Sequence, residues 1–444
     1  MRFGAVASVT LLAAVILAFP KGIEAKPASS AYVRQAMSEN PSESKEAIAA
    51  LRFQGIDGVQ AFFNAYKKDL QLARFSPTNP KQQKLRATLD AICQQRDCYA
   101  SQLFWYTDLD RAKAAAKVTG KPILSLRLLG RLDADLSCAN SRFFRIALYP
   151  NAQVSKVLRD RFILHWQSVR PAPKITIDFG DGRTLERTIT GNSIHYVLDA
   201  QGRPIDALPG LYSPQAFLGW LSRSKQAHKE YSRLNGQQRE EFLRQYHRDR
   251  LSQIQANWTA DLSKLGISLP LPNAAENQTT NNPPTAIAAA PVAMTKMAVE
   301  RPILRSMSEE RQQVLQTATN DTLWPKIAEL YLADARLDAN SQALMRMKNF
   351  KYFSRNSQAE PDPLLRVLPN FERNIALDTV RNEYLLHTQL HEWFIAGTDT
   401  IDVNTLNEKV YAQLFLTPSA DPWLGLLPND AYTGIEGEGI SIRN

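Results

Sequence analysis

A chain of 444 residues is too long for one ordinary core, so two or three domains are expected. Its hydrophobic share of 44% and charged share of 22% are those of a soluble globular protein. Against 44 Asp and Glu stand 53 Lys and Arg, a net charge of +9, but the basic residues are scattered and give no nucleic-acid footprint.

In chain order, "MRFGAVASVTLLAAVILAFPKGIEA" (1–25) reads as a signal peptide: Arg2, an apolar stretch, then a small residue at Ala25. Ile23 stands three before the expected cut, and an uncleaved membrane anchor is the alternative. No other apolar run approaches the ~20 residues that span a bilayer. The mature chain is therefore expected to be exported, to a periplasm or beyond the cell. It would meet a membrane only if residues 1–25 are retained.

Residues 26–104 read as a helical N-terminal region. "KEAIAALRFQGIDGVQAFFNAYKKDLQLA" carries apolar residues at helical spacing on both sides of Gly55 and Gly58, which predicts a helical hairpin. After "SPTNPKQ", "KLRATLDAICQQ" gives another amphipathic helix. Two of the three cysteines, Cys93 and Cys98, lie here. A continuous helix would hold them beyond the ~7 Å limit for a bridge, so they pair only if "QQRD" turns. Export favours disulfides, and an odd count leaves one thiol over. If Cys93 and Cys98 pair, Cys138 is free; if Cys98 pairs with Cys138, Cys138 is structural or reversibly oxidised.

From 105 to 225 the pattern alternates. Asp108 is a candidate N-cap for "DLDRAKAAAKVTG" and Gly120 its stop. "PILSLRLL" is a central strand, "SRFFRIALY" and "AQVSKVLRDR" are helical, and "FILHWQSV" is a second strand. "KITIDFGDGRTLERTIT" is a hairpin, "SIHYVLDAQGRPIDALPG" a strand, a turn and a short edge strand, and "SPQAFLGWLSRS" a helix. This predicts an α/β domain with a sheet covered on both faces. Charged helices follow over 226–268, then a Pro- and Ala-rich linker over 269–300 and a mostly helical C-terminal domain over 301–444. The last stretch, "LFLTPSADPWLGLLPNDAY", is Pro-broken yet apolar and should strap across a neighbouring surface.

Cys138, in "DADLSCANSRFF", falls where the central strand ends and a helix begins. A thiol at a helix N-terminus sits near free amides and the positive end of the dipole, and Arg142 and Arg145 push the same way, toward thiolate. Ser141 can hydrogen-bond it. One thiolate can attack a disulfide or peroxide but needs an outside thiol or Cys98 to resolve the adduct. The alternative is a small residue packed under a loop.

These residues carry a resemblance. "FWYTDLDRAKAAAKVTGKPILSLRLLG", followed by Cys138-Ala139-Asn140-Ser141, resembles the opening of exported thioredoxin-like domains, where a Cys-x-x-Cys motif starts the helix. "NAQVSKVLRDRFILHWQSV" and "SIHYVLDAQGRPIDALPGLYSPQAFLGWL" are similar to the family's later elements, and the likeness spans 105–222. It implies a thioredoxin-like fold with Cys138 at the active-site position. Two departures argue against dithiol chemistry. Ser141 stands for the second cysteine, and Ser193, six residues before Asp199, for the family's cis-proline, which shapes the substrate groove. Were Ser193 to face Cys138, His195 would share its strand face and could serve as a base.

Other constellations carry less. His165 on its strand reads as a core histidine. "FGDGRTLERTITGN" lacks the Gly-Lys-Ser/Thr ending of a phosphate loop. Glu383, His387 and His391 lie four apart on one helical face, a spacing that can grip a metal, although no third ligand is evident and a solvated Glu-His pair is the expected outcome. No haem attachment motif or Gly-x-Ser-x-Gly elbow occurs, and no cofactor is expected. Two readings result. One is monothiol thiol–disulfide or peroxide chemistry at Cys138, acting on exported protein thiols. The other is a non-catalytic thioredoxin-like scaffold that binds another exported protein.

Overall fold

The computed structural model describes residues 29–72, 79–188, 191–268, 323–348, 362–397, 400–415 and 417. The expected signal segment, the linker and the tail beyond 417 lie outside them. No helix among the described residues is long and apolar enough to cross a membrane.

The N-terminal layer is helical: α1 (Ser29–Gln35), α2 (Pro41–Phe53), α3 (Ile56–Ala65), α4 (Lys67–Leu72) and α5 (Pro80–Cys93). Two starts follow one rule. Asn40 and Asn79 accept from the first free amides of α2 and α5, and a proline, which needs no donor, takes the next position. Leu51, Phe62, Leu85, Leu89 and Ile92 close a small core between them. Gly58 is what lets α3 lie on α2, because a Cβ there would stand 2.0 Å from the Leu51 carbonyl oxygen. Gly58→Ala is expected to lower stability by about 1–3 kcal/mol through overpacking. A denaturant midpoint unchanged from wild type would show that the two helices can slide apart freely.

α5 stops at Cys93 because the chain turns. Gln94 and Asp97 take left-handed backbone angles, and the Asp90 carboxylate accepts from the Cys98 amide at 2.9 Å. The turn brings Cys93 and Cys98 to a Cα separation of 6.3 Å, and they form a disulfide. Cys138 is the free cysteine.

After the short α6 (Cys98–Ser101), α7 (Leu109–Thr119) starts on Asp108, which accepts from the Arg111 amide, and ends on left-handed Gly120. The sheet then builds from β1 (Ile123–Leu129), β2 (Ile163–Arg170), β5 (Ser193–Leu198) and β6 (Pro204–Pro209) in the order β2-β1-β5-β6. β1 runs parallel to β2 and antiparallel to β5, and β6 is antiparallel to β5. The parallel pair requires a crossover, supplied by α8 (Ala139–Phe143), which continues as a π-turn through Phe144–Leu148, and α9 (Ala152–Arg161). Every residue of β1, β5 and β6 is buried, so both sheet faces are covered. β3 (Lys174–Asp178) and β4 (Thr184–Thr188) pair only with each other, a largely exposed hairpin turning at Gly180-Asp181-Gly182.

α10 (Pro214–Tyr231) runs further than the expected helix, and the charged segment forms one 29-residue helix, α11 (Gly236–Lys264). The C-terminal part adds α12 (Leu323–Glu329), α13 (Ala339–Lys348), α14 (Pro363–Arg381), a π-turn over Asn382–His387, α15 (Thr388–Ala396), α16 (Val403–Lys409) and a second π-turn over Val410–Leu414. The chain is thus a mixed four-stranded sheet with a helical N-terminal layer and a helical C-terminal region. The boundary at the linker is one of sequence, not of packing. One continuous core holds Leu126, Tyr196 and Trp220 of the sheet domain together with Tyr384, Leu390 and Tyr411 from beyond the linker.

Candidate functional site

Cys138 is the N-cap of α8, separated from the end of β1 by residues 130–137, and its sulfur is wholly buried. Its thiol points at the Asn192 carbonyl oxygen, 3.8 Å away. That carbonyl also accepts from the Tyr411 hydroxyl at 3.2 Å, and the Asn192 amide group donates to the Thr417 hydroxyl at 2.8 Å. Arg170 donates to the Thr417 carbonyl. The last described turn of the chain therefore lies over the thiol's surroundings.

Burial raises the Cys138 thiol above its ordinary value; hydrogen bonding from Ser141 and the charge of Arg142 act in the opposite direction and do not overcome it. This reverses the expected activation, because the helix-dipole argument assumed contact with solvent. Ser141 turns its hydroxyl to Ser137 at 2.5 Å and to the Cys138 carbonyl at 3.0 Å. Arg142 donates to Thr188. Arg145 is drawn away to Ser137 and Asp97. Ser193 accepts from Asn140 of α8 at 3.1 Å, so it does lie beside this helix. His195 does not serve the thiol. It hydrogen-bonds Tyr149 at 2.8 Å between the rings of Phe144 and Phe217, and burial pushes it down to about 3. His165 bonds Ser125 across β1 and β2 and is likewise held neutral by burial.

The expected solvated pair in the C-terminal region is something else. His387 and His391 are buried, Glu383 only partly exposed, and two residues from distant elements join them: Asp206 of β6 and His247 of α11. His387 Nδ1 donates to Glu383 at 2.8 Å. His247 Nε2 faces the Ile205 carbonyl at 3.2 Å, which can only accept. His247 Nδ1 is thereby the acceptor in its 2.8 Å bond with His391 Nδ1. Among the described residues, His387 Nε2 and His391 Nε2 have no hydrogen-bond partner. Asp206 Oδ2 accepts from Trp220 and Tyr246 at 3.1 and 2.6 Å, and Oδ1 accepts from the Ala207 amide at 2.8 Å.

Burial would lower His387, but Glu383 and Asp206 more than offset it and push it up to about 9. His391, buried beside His387 and His247, is pushed well down. Among the described residues, Asp206, His387 and His391 form the group whose geometry suits a metal ion. Glu383 and Trp220, which hold two of these side chains, also line a cavity of about 230 Å³ with Tyr212, Arg223, Tyr331 and Tyr384.

The local spacing of Glu383, His387 and His391 was readable in the sequence; Asp206 and His247 were not. The one available signal was a lone carboxylate inside the apolar strand "PIDALP". No family model, curated protein or solved structure matches the chain. The chemistry of the site therefore rests on its own geometry.

Proposed function

We propose that the chain is an exported thioredoxin-like protein whose central domain acts as a non-catalytic scaffold for another exported protein. The order β2-β1-β5-β6, with one parallel pair and a helix that starts on Cys138 after β1, supports that fold. Ser193 stands where the resemblance implies a cis-proline, and its peptide is trans.

The observation that carries the non-catalytic reading is the complete burial of the Cys138 sulfur in the core. A nucleophile must meet its substrate, and a buried thiol with a raised pKa is neither reachable nor ionised. Cys93 and Cys98 are already paired, so neither is free to resolve an adduct on Cys138.

The test is iodoacetamide alkylation of Cys138 against pH on folded and denatured protein. The folded protein is expected to react at least about a thousandfold more slowly, since the thiol opens only when the structure does. Rapid labelling of folded protein with an apparent pKa below the ~8.5 of a free cysteine would sink the scaffold reading and restore monothiol chemistry.

A further inference from the structure

We propose that Asp206, His387 and His391 bind one divalent transition-metal ion of the zinc type, at the junction between the sheet and the C-terminal helices. Their ligand atoms all lie within 4.8 Å of one another, and His387 Nε2 stands 3.9 Å from Asp206 Oδ1. That gap is too long for a hydrogen bond. Two atoms bound to one ion at ~2.1 Å lie ~3.4 Å apart at the tetrahedral angle, so small side-chain movements close the set.

The hydrogen bonds around the cluster do what ligation requires. His387 is oriented through Nδ1 by a carboxylate, Glu383. His391 is oriented through Nδ1 by His247, itself fixed by the Ile205 carbonyl. Both arrangements leave Nε2 as the ring nitrogen without a partner among the described residues, in a buried place. A metal-bound histidine held by a carboxylate or carbonyl behind it is the usual outer-shell design. Asp206 is steadied by Trp220 and Tyr246 on its other oxygen. The π-turn over Asn382–His387 widens the helix where the first histidine enters, and such turns gather at functional sites.

Asp206 is buried and Glu383 largely so, and a divalent cation would displace the proton that they favour on His387 and take over its part in offsetting their charge. Two imidazoles and a carboxylate suit zinc and its first-row neighbours rather than calcium or magnesium. Three protein ligands leave a fourth position for water. The ligands come from β6 and from the helices beyond the linker, so the ion would fasten the two parts of the chain.

Full-length protein purified without chelator is expected to carry about one such ion per chain by elemental analysis. After stripping, added Co²⁺ should give the intense visible bands of a four-coordinate nitrogen–oxygen site, absent in His391→Ala. Loss of a buried imidazole can unfold the chain, so Glu383→Gln is the second variant. It keeps an acceptor at Nδ1 and should stay folded by circular dichroism while losing about 10–100-fold in Co²⁺ affinity. Folded wild-type protein that holds no metal and takes up no Co²⁺ overturns the proposal. So does a folded His391→Ala with unchanged bands, or a folded Glu383→Gln with unchanged affinity.

Discussion

Trp105→Ala is expected to lower stability by about 3–5 kcal/mol, the range for emptying a buried tryptophan site. Trp105 is fully buried and packs on Tyr149 at 5.4 Å between ring centres. Its indole donates to Gln95 at 2.8 Å, and its backbone amide donates to the Cys93 carbonyl. Gln95 is itself wholly buried, so truncation leaves its oxygen without a donor in addition to the cavity. Arg52 of α2 donates to the Ile92 and Trp105 carbonyls, so this segment also ties the N-terminal layer to the rest. Trp105→Phe keeps most of the volume and loses the hydrogen bond, and should cost about 1–2 kcal/mol. Denaturant unfolding of both variants is the measurement. An alanine variant within 1 kcal/mol of wild type would mean that the two layers fold independently of Trp105.

Asp261→Ala is expected to cost about 3 kcal/mol and to loosen the C-terminal helices from α11. The Asp261 carboxylate is buried and accepts from the Tyr331 hydroxyl at 2.5 Å, the Tyr384 hydroxyl at 2.6 Å and Lys264 at 3.1 Å. Hydrogen bonds to a charged acceptor contribute about 1.5–3 kcal/mol each. Tyr331 is partly exposed and can recover some of its loss in water, which keeps the figure at the lower end. Among the described residues, the Tyr384 hydroxyl then has only the Tyr331 hydroxyl left, at 3.4 Å. Amide hydrogen exchange should show α14 and α15 losing protection before the sheet does. Equal loss in both would mean one cooperative unit rather than a hinge at this carboxylate. Asp261→Asn keeps an acceptor and should lose less than half as much.

Much of the fold was legible because it is local. Asp108 and Gly120 bound α7 by capping chemistry, and "PILSLRLL" announced a strand by its length and apolar run. The turn that joins Cys93 to Cys98 was a condition the sequence could state but not meet, since Gln94 and Asp97 carry no glycine signature for their left-handed angles. The position of Cys138 was equally readable; its solvent exposure was not. What covers its surroundings, Tyr411 and Thr417, arrives from more than 200 residues downstream, as the separation of 219 between Tyr411 and Asn192 shows. The histidine cluster failed for the same reason. Periodicity relates residues one or two turns apart, whereas Asp206, His247 and His391 meet only through packing of β6, α11 and α15. A buried Asp-His set and an exposed Glu-His pair look alike in one dimension.

The closure by Tyr411 and Thr417 also sets a timetable. Contacts so far apart in sequence form late, because the loop between them must be ordered first. Until Tyr411 and Thr417 dock on Asn192, Cys138 lacks the cover that this contact gives its surroundings. Thiol–disulfide exchange among the three cysteines is open during that interval. The five-residue separation of Cys93 and Cys98 lets those two find each other quickly, before the far end of the chain arrives. Short separation and the turn at Gln94 and Asp97 together favour the Cys93–Cys98 pair and leave Cys138 as the odd thiol.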